Sequence, residues 1–155
     1  MTTELKAGDA APDFDMAADG GRVALGDFKG KTLVLYFYPK DDTSGCTNEA
    51  KAFTEAGADF AAAGTTIVGV SKDSVANHAR FKAKYDLNFT LGSDPDGAVV
   101  EAYGVWVEKA MYGRKYMGIE RSTFLIDGRG IVRRVWRKVK VPGHAAEVLA
   151  ALARP

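Results

Sequence analysis

Cysteine is almost missing from this chain: among its 155 residues only Cys46 carries a thiol. A single cysteine cannot form an internal disulfide, which fits a reducing compartment. The sequence also lacks a run of about 18 apolar residues, the length that a membrane-spanning helix needs. Residues 1–12 lack the basic and apolar regions of a secretion signal. We therefore expect a cytoplasmic protein that is not inserted in a membrane.

Charge of one sign is not in excess either, because 21 lysine and arginine residues face 20 aspartate and glutamate residues. The net charge of +1 gives no reason to expect a nucleic-acid partner. The two histidines, His78 and His144, lack the spacing of metal ligands relative to Cys46. The chain has neither a glycine-rich phosphate loop nor a CxxC motif. We expect no metal, haem, flavin or other cofactor, and a structural role for both histidines.

The rest of the composition is that of an ordinary globular protein, with 46% hydrophobic and 26% charged residues. This length suits one domain with a substantial core, and we assign residues 1–155 to a single domain. Predicted strands alternate with predicted helices, and a hairpin and a last helix follow. This order predicts an α/β fold, a three-layer sandwich with a central mixed sheet.

The predicted strands cover residues 22–25, 32–38, 65–71, 88–91, 121–127 and 131–138. The predicted helices run from residue 46 to about 64, from the cap Ser74 to residue 85, over 98–103, and from Pro142 to residue 152. Residues 1–15 are predicted to form an arm. Residues 104–120 contain three glycines and show no clear period, which predicts an ordered loop.

The cysteine lies where the buried strand over residues 32–38 gives way to a helix. A helix N-terminus has free backbone N–H groups and a favourable dipole, so it stabilises a thiolate but not a thiol. Thr43 as N-cap is expected to accept a hydrogen bond from the backbone N–H of Cys46. Cys46, Ala50, Phe53 and Phe60 share one helical face. The alternative is that Cys46 is only a small buried hydrophobe, but its position favours a reactive thiol.

Several separated motifs resemble one known family. Pro39-x-x-x-Thr43-x-x-Cys46, followed by the segment that begins at Arg121, resembles the peroxiredoxin signature. The pairs Tyr-Gly and Met-Gly between residues 103 and 118 are similar to the bacterioferritin comigratory protein branch, also called peroxiredoxin Q. The resemblance extends over about residues 8–152. It implies a thioredoxin-like fold and a thiol-dependent peroxidase without a cofactor.

The resemblance also implies which residues act. Cys46 would be the peroxidatic cysteine, with Pro39, Thr43 and Arg121 completing the site. Arg121 offers a rigid fork of donors to the sulfur and the peroxide together, Thr43 offers a hydroxyl, and Pro39 would shield the sulfur from water. Without the resemblance, Pro39 could simply end the strand and Thr43 could simply cap the helix. Glu49 could either complement the helix dipole or orient Arg121.

Two departures from the branch are visible. Ser44 stands where the branch usually has proline. The branch often carries a resolving cysteine either five residues after the first or in the next helix, and Lys51 and Lys82 occupy those places. The resemblance therefore implies a one-cysteine form, in which an external thiol must attack the sulfenic acid of Cys46.

The substrates implied are hydrogen peroxide and organic hydroperoxides. Thioredoxin, glutaredoxin with glutathione, or a small thiol could each be the reductant, and the sequence does not choose among them. We expect a monomer. An alternative function is a peroxide sensor that signals through a mixed disulfide at Cys46. The residues Trp106, Met111, Tyr112, Tyr116 and Met117 are expected to pack internally or to form an apolar collar.

Overall fold

The computed structural model of the chain describes residues 4–152, so the first three residues of the predicted arm lie outside it. Nine strands and five α-helices are present within this range. The strands are β1 (Asp15–Ala18), β2 (Gly21–Ala24), β3 (Thr32–Phe37), β4 (Thr65–Ser71), β5 (Thr90–Ser93), β6 (Trp106–Met111), β7 (Arg114–Ile119), β8 (Ser122–Ile126) and β9 (Val132–Trp136). The helices are α1 (Ser44–Glu55), α2 (Gly57–Ala62), α3 (Val75–Tyr85), α4 (Ala98–Ala102) and α5 (His144–Leu152).

Seven strands form one mixed sheet in the order β2-β1-β5-β4-β3-β8-β9. Strands β3, β4 and β5 are parallel, and the remaining pairs in this sheet are antiparallel. Helices connect β3 to β4 and β4 to β5, as parallel pairing requires. The predicted α/β architecture with a central mixed sheet is confirmed.

Strand β3 lies inside the sheet and is buried on both faces. Leu33, Leu35 and Phe37 pack in one apolar cluster, while Val34 and Tyr36 pack in another. This alternation is the period of two that a strand imposes. The second cluster, on the face covered by α1, α2, α3 and α5, contains Cys46. The central strand therefore carries a core on each side and leads directly into the cysteine loop.

Two predictions about helices need correction, and a third is confirmed. The helix predicted from residue 46 to about 64 is broken at Ala56 (φ −86°, ψ 2°) into α1 and α2. The last helix begins at His144, two residues after Pro142. Ser74 does cap α3, because its hydroxyl accepts a hydrogen bond from the backbone N–H of Asn77 (3.1 Å).

The loop predicted over residues 104–120 is instead a second sheet of two strands, the β6–β7 hairpin. Its turn, Tyr112-Gly113, has positive φ at both positions (53° and 78°), as a tight two-residue hairpin turn requires. A tyrosine in the first position hides this signal, since asparagine or aspartate is usual there. Most hairpin residues are partly or fully exposed, so no apolar alternation marks the strands. Strand β1 was also missed, and the strand predicted over 88–91 lies at Thr90–Ser93.

Within residues 4–152, none of the helices combines the length and apolar character needed to cross a bilayer.

Candidate active site

Cys46 lies in the first turn of α1 and is 2% exposed. Thr43 is the N-cap, with extended backbone (φ −95°, ψ 156°), and its carbonyl accepts the first helical hydrogen bond, from Thr47 N–H (2.8 Å). The chain thus turns from β3 through a loop of six residues, Tyr38 to Thr43, into a helix whose N-terminus holds the thiol. The predicted position of Cys46 at a helix start is confirmed.

The predicted cap hydrogen bond from Cys46 N–H to the Thr43 hydroxyl is wrong. The Thr43 hydroxyl instead donates to the carbonyl of Lys40 (2.9 Å). A hydroxyl rotates freely and can donate as well as accept, and here it donates to a carbonyl of the tight loop. Thr43 therefore closes the loop on itself and keeps its oxygen lone pairs free to accept a hydrogen bond.

Arg121 reaches Cys46 although 75 residues separate them in the sequence. Ser122, the first residue of β8, pairs with Phe37, the last residue of β3. The antiparallel register therefore places Arg121 beside the carboxyl end of β3, where the cysteine loop begins. The guanidinium Nη2 donates to Cys46 Sγ at 3.3 Å. A Cβ at Gly45 would lie 3.2 Å from the same Nη2, so a glycine at this position gives the guanidinium room.

Glu49 holds the other side of the same guanidinium. Arg121 Nη1 donates to Glu49 Oε1 at 2.6 Å. The Glu49 side chain is 1% exposed, and its Oε2 has no hydrogen-bond partner among the described residues. Burial raises the pKa of Glu49 to about 7, against the opposing positive charge of Arg121. Of the two roles considered for Glu49, this contact favours the orientation of Arg121.

The guanidinium is a bridge between two acceptors. Burial would lower the pKa of Arg121, but the negative charges of Glu49 and Cys46 outweigh it and raise the pKa overall. One planar, permanently charged group thus spans a carboxylate and a sulfur in fixed directions. This arrangement holds the guanidinium against the sulfur and leaves the fork partly exposed.

The remaining sequence-predicted residues lie around this centre. Pro39 follows Tyr38 at the end of β3 and is exposed. Partial burial and the positive charge of Arg121 both lower the pKa of Lys109 on β6 of the hairpin. Met111, Tyr112, Tyr116 and Met117 are exposed rather than internally packed.

Lysines occupy the two positions where the peroxiredoxin Q branch often carries a resolving cysteine, and their surroundings differ. Lys51 is exposed on α1. Lys82 on α3 donates to Asp19 at 2.6 Å. Among residues 4–152, no group of three or more histidine, cysteine, aspartate or glutamate side chains is arranged to hold a metal ion.

Sequence reasoning missed a polar cluster beneath the cysteine loop, formed by Tyr38, Asp41, Ser71, Asp73 and His78. Asp41 Oδ1 accepts from the Tyr38 hydroxyl (2.5 Å), and Asp41 Oδ2 lies 2.6 Å from His78 Nδ1. The only sign of this cluster in the sequence is His78 on the apolar face of α3. A histidine on an apolar face does not by itself indicate a partner in another element.

A thiol at a helix start that accepts a hydrogen bond from a guanidinium, at the carboxyl end of a central strand of an α/β sheet, is the arrangement expected of a thiol-dependent peroxidase. The sequence matches the AhpC/TSA family over residues 7–135. It is 50% identical over 153 residues to peroxiredoxin Bcp of Bacillus subtilis, covering 98% of this chain and 96% of that protein.

Solved structures agree with this assignment. A cysteine mutant of Xylella fastidiosa peroxiredoxin Q is 40% identical, covers 98% of both chains and gives a TM-score of 0.92. The Xanthomonas campestris bacterioferritin comigratory protein, described in complexes that bear on its alkyl peroxide reduction, is 48% identical, with 90% coverage of both chains and a TM-score of 0.86. The chain belongs to the AhpC/TSA family, as a one-cysteine peroxiredoxin of the bacterioferritin comigratory protein or peroxiredoxin Q branch.

Proposed function

We propose that Cys46 is the residue that peroxide oxidises. The thiolate sulfur attacks one peroxide oxygen and the O–O bond breaks. The new S–O bond gives the sulfenic acid of Cys46, and the second oxygen leaves as water or an alcohol after taking up a proton. The observation that carries this proposal is the hydrogen bond from Arg121 Nη2 to Cys46 Sγ at 3.3 Å.

Arg121 and Thr43 are proposed to hold the peroxide. Arg121 is 17% exposed, so the bridging guanidinium can donate to a peroxide oxygen while it stays fixed by Glu49. Charge that develops on the oxygens as the bond breaks then meets a preorganised donor. The Thr43 proton is engaged by Lys40, so Thr43 faces the substrate as an acceptor for the peroxide O–H. Pro39 is proposed to limit the access of water to the sulfur.

The proposed substrates are hydrogen peroxide and organic hydroperoxides, and the proposed reductant is an external thiol. Alkyl peroxide reduction by the Xanthomonas relative supports the first part. The second part follows from the chain itself, because Cys46 is its only sulfur nucleophile. A mixed disulfide with the external thiol, released by a second thiol, returns Cys46 to its reduced form. This cycle suits a monomer of one domain working in the reducing cytoplasm.

The test is rapid mixing of the reduced protein with one equivalent of hydrogen peroxide, followed by tryptophan fluorescence and by mass. We expect oxidation far faster than that of free cysteine, and no oxidation step in Cys46→Ser. Oxidation no faster than free cysteine would overturn the proposal. Repeated turnover with at least one thiol reductant is expected, whereas a sensor would not cycle.

A further inference from the structure

A buried polar cluster, not used in the reaction described above, lies beneath the loop that carries Thr43. Its centre is His78 on α3, which is fully buried. His78 Nδ1 lies 2.6 Å from Asp41 Oδ2, and His78 Nε2 lies 2.9 Å from the carbonyl oxygen of Gly92. Each ring nitrogen therefore faces an acceptor. A neutral imidazole has only one N–H, so with Asp41 as a carboxylate both contacts are hydrogen bonds only if His78 is an imidazolium.

Asp41 transmits this contact to the cysteine loop. It belongs to the segment between β3 and α1, and its carboxylate accepts from the Tyr38 hydroxyl as well as from His78. Its backbone N–H donates to Asp73 Oδ2 at 2.8 Å. Asp73 is itself held by the Ser71 hydroxyl at 2.6 Å. Asp41 thus ties the loop before Cys46 directly to His78 on α3 and, through Asp73, to Ser71 at the end of β4.

A second contact ties the next loop residue to the same helix. Asp42 has φ 59°, a left-handed conformation that aspartate adopts more readily than most residues with a side chain. Its carboxylate accepts from the Tyr85 hydroxyl (2.5 Å) and from Lys84 Nζ (2.9 Å). Because Asp42 is exposed, this contact is weaker than the buried one. The loop therefore depends mainly on the Asp41 contact.

We propose that His78 is a positioning residue for the reaction of Cys46: as an imidazolium it fixes Asp41, and through Asp41 the loop that places Thr43 and the start of α1 relative to Arg121. This inference rests on the proposed function of Cys46. Loss of the His78 proton leaves either Asp41 or Gly92 facing a bare nitrogen, which loosens the loop. A displacement of about 1 Å in such a site lowers rates by up to about 100-fold.

The titratable groups that face His78 are Tyr38 and Asp41 from the loop that follows β3, and Asp73 from the segment before α3. Burial would lower the pKa of His78, but the hydrogen bond and charge of Asp41 raise it above the usual 6.5. The loop contact is therefore complete at low pH and is lost as the pH rises through the raised pKa of His78. The rate constant of Cys46 oxidation should fall in that range.

The sharpest variant is Asp41→Asn. The asparagine amide can donate to Nδ1 of a neutral His78, whose Nε2–H then donates to Gly92, while Oδ1 still accepts from Tyr38. The contacts of residue 41 with His78 and Tyr38, and of His78 with Gly92, are therefore kept although neither side chain is charged. In Asp41→Asn we expect the rate constant of Cys46 oxidation to lie within about threefold of the wild-type value at neutral pH. We also expect this rate constant not to fall at higher pH. Asp41→Ala should be about 10- to 100-fold slower at every pH.

The experiment measures the second-order rate constant with hydrogen peroxide from pH 5 to 9 for both variants, for His78→Asn, and for His144→Asn as the matched loss of a buried histidine elsewhere. In His78→Asn the rate constant should be about tenfold lower than in the wild type and should not fall further at high pH. His144→Asn should keep the wild-type pH profile. Glu49 titrates in the wild type and in Asp41→Asn alike, so the difference between those two profiles reports His78.

An Asp41→Asn profile that falls with pH as the wild type does, or that matches Asp41→Ala, would overturn the proposal. If His78→Asn does not fold, as urea unfolding would show, the comparison of wild type with Asp41→Asn still decides. If instead the proposed function of Cys46 is wrong, wild-type Cys46 would react no faster than free cysteine at any pH. That result is distinct from either outcome that overturns the role of His78.

Discussion

Replacing Arg121 by lysine separates the charge of the guanidinium from its geometry. The guanidinium donates to Glu49 Oε1 (2.6 Å) and to Cys46 Sγ (3.3 Å) from two different nitrogens. A lysine offers one ammonium, so it cannot hold both acceptors in these directions. Removing one preorganised donor of this kind lowers rates by about 10²–10³-fold, or about 2.7–4 kcal/mol. Since lysine keeps the positive charge, we expect the rate of Cys46 oxidation to fall by about 100-fold, the lower end of this range.

The assay is single-turnover oxidation of Cys46 by hydrogen peroxide at pH 7, followed by fluorescence. Arg129→Lys is the matched control, because Arg129 is exposed in the turn between β8 and β9 and makes no side-chain hydrogen bond or ion pair within the described chain. Its rate should equal that of the wild type. Urea unfolding should show a folded Arg121→Lys, since the lysine still neutralises Glu49. An Arg121→Lys rate within about threefold of the wild type would refute the role given to the fork.

Three further outcomes are expected. Burial raises the pKa of Glu49 to about 7 from 4.5, so the folded state binds the carboxyl proton of Glu49 more tightly than the unfolded state does. The stability that this proton contributes is therefore complete below pH 4.5 and is lost as the pH rises through about 7. The wild-type free energy of unfolding should fall by about 3 kcal/mol over that range, and this part of the fall should be absent from urea titrations of Glu49→Gln. Excess peroxide without reductant should add two and three oxygens to Cys46 by intact mass, whereas a dominant Cys46–Cys46 disulfide between two chains would contradict the monomeric cycle. Tyr112→Asn should raise the free energy of unfolding by about 1 kcal/mol, because asparagine tolerates φ of 53° better than tyrosine, and Gly113→Ala should lower it; equal thermal transitions in all three proteins would contradict this.

The elements of the core were predictable because their patterns are local. Strand β4 lies at the predicted residues, and β3 differs from its prediction by one residue. Both contain an uninterrupted run of buried residues, as a two-sided core requires. The β6–β7 hairpin was not predictable in the same way, since its strands have little core to face and its turn begins with a tyrosine.

The site was predictable only in part. The position of Cys46 followed from the boundary between a strand and a helix, which is a local signal. Its partner Arg121 followed from the family resemblance alone, because the register of β3 with β8 is a property of the folded sheet. The bond from Thr43 to Lys40 and the contact between Asp41 and His78 depend on loop geometry and on packing between distant elements. No spacing in the sequence announces such contacts.

The β6–β7 hairpin has a consequence for how the chain opens. Its strands bond only to each other within the described residues, and they are anchored at the base, where Ile119 is buried and Glu120 N–H donates to the carbonyl of Val105 (2.7 Å). The tip is free, with Tyr112 97% exposed. Amide hydrogens near the tip should therefore exchange through local fraying, while those of β3 and β4 exchange only when the sheet unfolds.

The same anchoring makes the tip a place where the chain tolerates change. The ends of β6 and β7 meet at Tyr112-Gly113, and neither residue packs against the rest of the described protein. A peptide inserted there, or new chain termini created by circular permutation, would leave the seven-stranded sheet and the cysteine loop undisturbed. The exposed hairpin tip is thus also a position where a reporter group can be attached with little effect on folding.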